Sequence, residues 1–432
     1  MKKYYLIYLV LTTLFIGISY KIKDDYFYIP YPNAIEFVLV FILFLFTFII
    51  VLWNNHRKLK IALGALSIIV LMSVVNLMNY YFEWHPLVHT LPFTSSQSCE
   101  VDFEPAKWAT AKTSNVGLNE TNINQYLKEI ENWERLRGLI IIKDDKLIVE
   151  KYQGGATKYS ALNVHSVTKS ITSALVGLAI QKGNIKSENE LVMPFFPEYK
   201  AQILDNNPKS KITIADLLTM QGGFTGNDGI ENVEDVLLKR RVAKENIGKR
   251  FNYYTGSNMV LSAIITKTTK MSTKKFAEKN LFEPLGIHNA FWRKVDGYYC
   301  GGDQTYFTPR DLAKFGNLYL RKGKNNGIQL LDSTWIEKSF MNHALPPKNI
   351  KTPACYQEIG YGFSWWLLKY NDEMIYTARG MGGQYIMILP KQNMVVVIVQ
   401  AWKFNKDLKS ENEFLCKLLS LITENITQKN EH

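Results

Sequence analysis

Histidine is scarce in this chain, seven in 432 residues, and the scarcity limits its chemistry. Beyond residue 115 the only histidines are His165, His288, His343 and the terminal His432, and no Gly-x-Ser-x-Gly elbow occurs anywhere. A Ser-His-Asp hydrolase would lack both its usual turn and a well-placed base, since His165 directly precedes the serine singled out below. There is no His-Glu-x-x-His and no Gly-x-x-x-x-Gly-Lys-Ser/Thr loop, so neither a catalytic zinc nor a nucleotide is expected, and no cofactor or metal is assigned. His85 and His89 flank Pro86, a poor start for a metal site. Cysteine is equally sparse: Cys99, Cys300, Cys355 and Cys416 lack metal-type spacing and permit three disulfide pairings. A domain outside the cytoplasm would allow Cys300 to pair with Cys355, while Cys416 reads as a buried helix residue. Basic blocks interleaved with aromatics are absent too, which argues against nucleic acid. The net charge of +12 is spread as +3 before residue 84 and +9 after it, the pattern of a solvated lysine-rich surface. No internal repeat or low-complexity segment is present.

Apolar sequence, by contrast, is plentiful at the start. Tyr4 to Tyr20, Phe37 to Trp53 and Ile61 to Phe82 are uncharged over 17, 17 and 22 residues. At about 1.5 Å of helix rise per residue, each crosses or nearly crosses a hydrocarbon layer of roughly 30 Å. The first run ends in Gly17-Ile18-Ser19-Tyr20 without an Ala-x-Ala cleavage site, so it reads as a span rather than a removed signal. Lys2 and Lys3 precede the first span, and His56, Arg57, Lys58 and Lys60 separate the second from the third. This basic bias puts the N-terminus in the cytoplasm. Three spans then deliver everything beyond Glu83 to the periplasm or the cell exterior, with membrane lipid as the partner of residues 1–83.

Residues 84–115, with Pro86, Pro92 and Pro105, read as a linker, and residues 116–425 as the soluble domain ahead of a short tail, 426–432. A helical segment is expected around Ile123 to Arg137. Leu139 to Ile142 and Lys146 to Glu150 flank Asp144-Asp145, the signature of a hairpin. Tyr385 to Leu389 and Met394 to Val399 form a second around Pro390 to Asn393, and a helix from Asn412 to Ile422 closes the chain. Strands at both ends with helices between predict an α/β chain of the α+β type, one antiparallel sheet flanked by helices with a helical subdomain inserted.

Ser166-Val167-Thr168-Lys169 opens a segment with apolar residues at Ile171, Ala174, Leu175, Leu178 and Ala179, a helical period. A serine and a lysine three apart share one helix face. Ser166 would occupy the first turn, where free N–H groups and the positive end of the dipole favour a developing oxyanion. Lys169 would take the hydroxyl proton if its own charge were disfavoured. Ser272-Thr273-Lys274-Lys275 repeats the spacing but lies in a polar stretch, and reads as a helix N-cap with a solvated lysine.

The run Asn163 to Gly177 closely resembles the nucleophile region of the class C β-lactamase-related serine hydrolases, especially the branch holding 6-aminohexanoate-dimer hydrolase and family VIII-type esterases. Ile214 to Gly223, Phe251 to Thr255, Thr308 to Gly316 and Arg379 to Gln384 follow in the family's order, so the resemblance covers roughly residues 120–425. It implies a β-lactamase/transpeptidase-like fold and an acyl-enzyme on Ser166, with Lys169 and Tyr253 as the acid/base pair. It also implies an oxyanion hole from the N–H groups of Ser166 and Met381, and Thr255 where the family carries Asn or Ser. Ala378-Arg379-Gly380 stands where relatives carry Lys-Thr-Gly or His-Thr-Gly. Gly380 lets the strand approach a substrate, and the lysine that helps to hold a β-lactam carboxylate is missing. Arg379 either supplies that cation or turns away. The expected substrate is a small-molecule or cell-wall-derived ester or amide rather than a β-lactam. Two alternatives share the architecture: a D-amino-acid peptidase or cell-wall esterase, and a non-catalytic penicillin-binding-like membrane sensor.

Overall fold

The computed structural model describes residues 99–203, 206–226, 228–229, 231–347, 355–401 and 408–424. The three apolar runs, His85, His89 and the tail lie outside the described residues. No helix among the described residues is long and apolar enough to cross a membrane.

The elements that position the site are the strands β1 (Leu136–Lys143), β2 (Lys146–Tyr152), β3 (Ser160–Asn163), β4 (Thr305–Phe307), β5 (Glu358–Tyr361), β6 (Trp366–Tyr370), β7 (Glu373–Gly380), β8 (Gln384–Leu389) and β9 (Met394–Gln400). The helices are α1 (Glu120–Glu129), α2 (Val167–Gln181), α3 (Ile214–Leu218), α4 (Thr255–Thr269), α5 (Pro309–Leu320), α6 (Ser333–Phe340) and α7 (Leu408–Glu424). Asp144 and Asp145 both have positive φ, 51° and 62°, as the tight two-residue turn between β1 and β2 requires. Both expected hairpins are present, and they meet in the middle of an eight-stranded sheet of order β5-β6-β7-β8-β9-β1-β2, with Ala109–Thr110 at the far edge. That edge strand runs parallel to β2, so the sheet is mixed rather than wholly antiparallel. The expected helix to Arg137 stops early: α1 ends at Glu129, a 3₁₀ turn covers Ile130–Asn132, and Leu136 already begins β1.

The strands explain their own composition. Ile140 and Ile142 pack with α2, α4 and α5 on one side of the sheet, whereas Leu139 and Ile141 pack with α1 and α7 on the other. Alternate side chains point to opposite faces, and both faces are covered, so the run from Leu139 to Ile142 is apolar throughout. α2 is buried along its whole length from Val167 to Ala179, the environment of a central rather than a surface helix.

Residues read as linker also contribute pairing. Cys99–Glu100 pairs with Ser160 and Ala161 of β3, and the Ala106 N–H donates to the Asp311 carboxylate at 3.0 Å. The cysteines differ from the pairing considered above: Cys355 is bonded to Cys416 with Cα atoms 5.7 Å apart, and Cys300 is free and buried. The partner of Cys355 is set by where α7 lies, a long-range fact that spacing cannot report. Burial pushes the Cys300 thiol up to about 11. Peptide mapping without reductant is therefore expected to recover a Cys355–Cys416 cross-link, with Cys300 alkylated only after unfolding. Since the bridge spans 61 residues, Cys416→Ser should lower stability by up to about 4 kcal/mol in the chain-entropy account, read from denaturant melts.

Candidate active site

Ser166 sits in the sharp turn between β3 and α2. The turn is tied down from several sides: the Val164 N–H donates to the Thr305 carbonyl of β4 at 2.9 Å, and the His165 N–H to Asn163 Oδ1 at 2.9 Å. Thr168 Oγ1 donates to the His165 carbonyl at 2.6 Å. His165 takes a left-handed conformation, φ 47°, which costs a non-glycine residue roughly 1–3 kcal/mol and persists only under such constraints. Ser166 then immediately precedes the first residue of α2.

One turn on, Lys169 is 1% exposed, and its ammonium spends all three of its protons. It donates to Ser166 Oγ at 2.8 Å, to Thr255 Oγ1 at 3.0 Å and to the Gly302 carbonyl at 2.7 Å. Burial acts to lower its pKa, but the fields of Tyr253, Asp228 and Asp303 outweigh burial and hold it above the usual lysine value. Lys169 therefore rests as a cation, contrary to the neutral lysine that the tetrapeptide alone suggests. The carboxylate of Asp303 is in turn held below its usual value: burial pushes it up, but the His165 imidazole 3.3 Å away and the Lys169 ammonium prevail.

The Tyr253 ring lies 4.9 Å from Lys169 Nζ, centroid to nitrogen. It is stacked on Trp366 with centroids 5.8 Å apart and meets Tyr361 edge-on at 6.5 Å. Phe251, Tyr361 and Trp366 belong to one buried cluster, which fixes the ring of Tyr253 beside the ammonium.

Gly380 ends β7 against the turn that carries Ser166. A Cβ there would overlap the Val164 carbonyl oxygen, so only glycine lets the strand come this close. Met381 follows, in the turn Met381–Gly383, which is held by the Arg135 guanidinium donating to the Gly382 carbonyl at 2.8 Å and by Gln384 and Gln400. Arg379 projects from the other face of β7. Its guanidinium lies 6.0 Å from the ring centroid of Tyr385, its cross-strand neighbour, while Ala378 packs in the cluster that contains α2. Strand alternation thus puts an alanine, not a cation, on the face shared with Gly380.

The structure therefore brings together Ser166, Lys169, Tyr253, Thr255 and Gly380, and turns Arg379 to the opposite face. Sequence reading missed Asp228, Asp303 and the Gly302 carbonyl. A Cβ on Gly301 would overlap the Asn258 carbonyl oxygen. The same close approach turns the Gly302 carbonyl toward Lys169. Ser272, the other serine of a Ser-x-x-Lys, accepts the Lys275 N–H as a helix N-cap.

Among known proteins, the family model described as Beta-lactamase matches residues 134–416. The 6-aminohexanoate-dimer hydrolase of Paenarthrobacter ureafaciens is 21% identical over 292 residues, 61% of this chain and 72% of that protein. A Salmonella typhimurium protein provisionally named a D-alanyl-D-alanine carboxypeptidase is 24% identical over 244 residues, 47% of this chain and 53% of that one, so the chain spans about half of its length. A solved structure from Bacillus anthracis, provisionally designated a 6-aminohexanoate-dimer hydrolase, superposes with a TM-score of 0.59 at 20% identity, covering 81% of this chain and 92% of the other. At that identity the likeness speaks for the fold alone.

Proposed function

The chain belongs to the beta-lactamase family of serine hydrolases, and from that premise we propose that it cleaves an ester or amide through an acyl-enzyme on Ser166, anchored by its N-terminal apolar runs with the catalytic domain outside the cytoplasmic membrane. The observation that carries the reading is the contact between Lys169 Nζ and Ser166 Oγ, 2.8 Å, inside a site where every proton of the ammonium has an acceptor.

Lys169 and Tyr253 act as one acid/base pair, with Lys169 as the ammonium. Ser166 Oγ attacks the carbonyl carbon while its proton passes to this pair. The carbonyl oxygen becomes an oxyanion between the N–H groups of Ser166 and Met381. Collapse breaks the bond to the alcohol or amine, which leaves with the proton the pair received. Water then attacks the acyl ester by the reverse route, releasing the acid and restoring Ser166.

This assignment fixes the direction of the pH dependence. kcat/KM falls when Lys169 loses its proton. Because Lys169 is held above the ordinary lysine value of 10.5, the descending limb is expected beyond that value. A limb that descends below it, in protein still folded by circular dichroism, would contradict the resting charge assigned to Lys169.

A D-amino-acid peptidase is the second reading, favoured by the carboxypeptidase-named relative and opposed by Ala378, which stands on the Gly380 face of β7 where a cation would meet a substrate carboxylate. Incubating the full chain with activated esters, short amides, wall fragments and a labelled penicillin separates the two. Turnover of esters or amides without a stable penicillin adduct supports the first reading; D-alanine release or a long-lived penicillin adduct supports the second. Folded protein that gives neither adduct nor product would favour the sensor alternative and end both.

A further inference from the structure

Thr255 is an unusual partner for a buried ammonium, because a hydroxyl brings one proton as well as two lone pairs. Unless that proton is directed elsewhere, it competes with Lys169 for the space between them. Here it has a destination: Thr255 Oγ1 donates to Asp228 Oδ2 at 3.2 Å, and the Thr255 N–H donates to Asp228 Oδ1 at 2.6 Å. Thr255 is the first residue of α4, and Tyr254, at its N-cap, provides no side-chain cap. A single carboxylate from a loop 27 residues earlier thus takes an orphan helix N–H and the hydroxyl proton together.

We propose that Asp228 is a positioning residue of the active site, which holds the Thr255 hydroxyl as an acceptor toward Lys169 and so lets a threonine act where an amide oxygen would need no help. The inference rests on the reading of Ser166 as the acylated serine. Beside its field at Lys169, Asp228 works through Thr255, and Thr255 through the ammonium that contacts Ser166 Oγ. Sequence offered no handle on it, since nothing in Gly226 to Gly229 has a periodic pattern and the partner lies in another element.

The alternative is that Asp228 only caps α4. The two roles separate in a rescue experiment on the full chain, reading the single-turnover rate of acylation by an activated ester through intact mass, alongside the thermal midpoint. Asp228→Ala is expected to slow acylation at least about tenfold, the scale of a displaced charge-assisted hydrogen bond. Adding Thr255→Asn, whose amide oxygen accepts without assistance, should restore the rate to within about threefold of the parent. In a Thr255→Val background, where no hydroxyl remains to orient, Asp228→Ala should change the rate by a clearly smaller factor than in the parent, the remainder being the field of its carboxylate at Lys169. Asp228→Asn, which keeps the shape of the cap, serves if the alanine variant unfolds; it should slow acylation while leaving the midpoint close to that of the parent.

A lowered midpoint with an unchanged acylation rate, or a slowed rate that Thr255→Asn does not rescue, would overturn the proposal. Failure of the underlying reading looks different: the parent protein itself would then form no adduct that Ser166→Ala removes.

Discussion

Ser166→Ala abolishes the covalent adduct with activated esters and lowers kcat/KM by at least about a thousandfold, while the thermal midpoint stays within a few degrees of the parent. Removing a nucleophile that works as a unit with its base costs about 2 × 10⁶ in kcat in a well-studied serine hydrolase, and residual rate comes from the oxyanion donors and binding alone. The structural cost is small by comparison. Ser166 is half-buried and contributes one acceptor to an ammonium that keeps two others, Thr255 Oγ1 and the Gly302 carbonyl. Its backbone N–H, half of the assigned oxyanion hole, is unchanged in alanine. Retention of an adduct at another residue would remove Ser166 from the mechanism, whatever the overall rate. Loss of activity accompanied by unfolding would instead make Ser166 a determinant of the β3–α2 turn.

That prediction was open to a reader of the sequence, and the reason is locality. Ser166 and Lys169 are one helical turn apart, so their juxtaposition follows from the helix, and the helix from its apolar period. The β1–β2 and β8–β9 hairpins are local in the same sense. Legibility ends where partners come from distant segments. Asp228 and Asp303 reach Lys169 from loops far along the chain, and the field of Tyr253 together with theirs, set against burial, decides its charge rather than the tetrapeptide. The orientation of Arg379 depends on the phase of β7: its sequence neighbours allow either face, and the contact of Gly380 with Val164 chooses. The Cys355–Cys416 bond depends on the docking of α7 against β1, β8 and β9, and the register of Ala109–Thr110 on two residues too short to carry a pattern.

Lys169→Met is expected to remove activity as fully as loss of the nucleophile and, unlike that change, to destabilise the fold. The methionine fills a similar volume but leaves the Gly302 carbonyl without its donor, and Asp228 and Asp303 without the cation between them. Breaking a buried charge arrangement by deleting one partner costs about 3–5 kcal/mol, well above the cost of an ordinary lost hydrogen bond. The deficit also has a definite pH dependence. In the parent, Asp303 is held below its ordinary value of 3.8 despite burial, by His165 first and by Lys169 after it. A depressed carboxylate contributes stability that is present above the unfolded value and is lost as pH falls through the folded one. The share owed to Lys169 therefore disappears on acidification, and in the variant protonation of the same carboxylate removes a charge that only His165 still balances. Denaturant midpoints of parent and variant should lie furthest apart at neutral pH and converge as the pH falls below about 4, near the model aspartate value. A gap of constant size across that range would trace the loss to packing alone, and would argue against Asp303 and Lys169 acting on one another as charges.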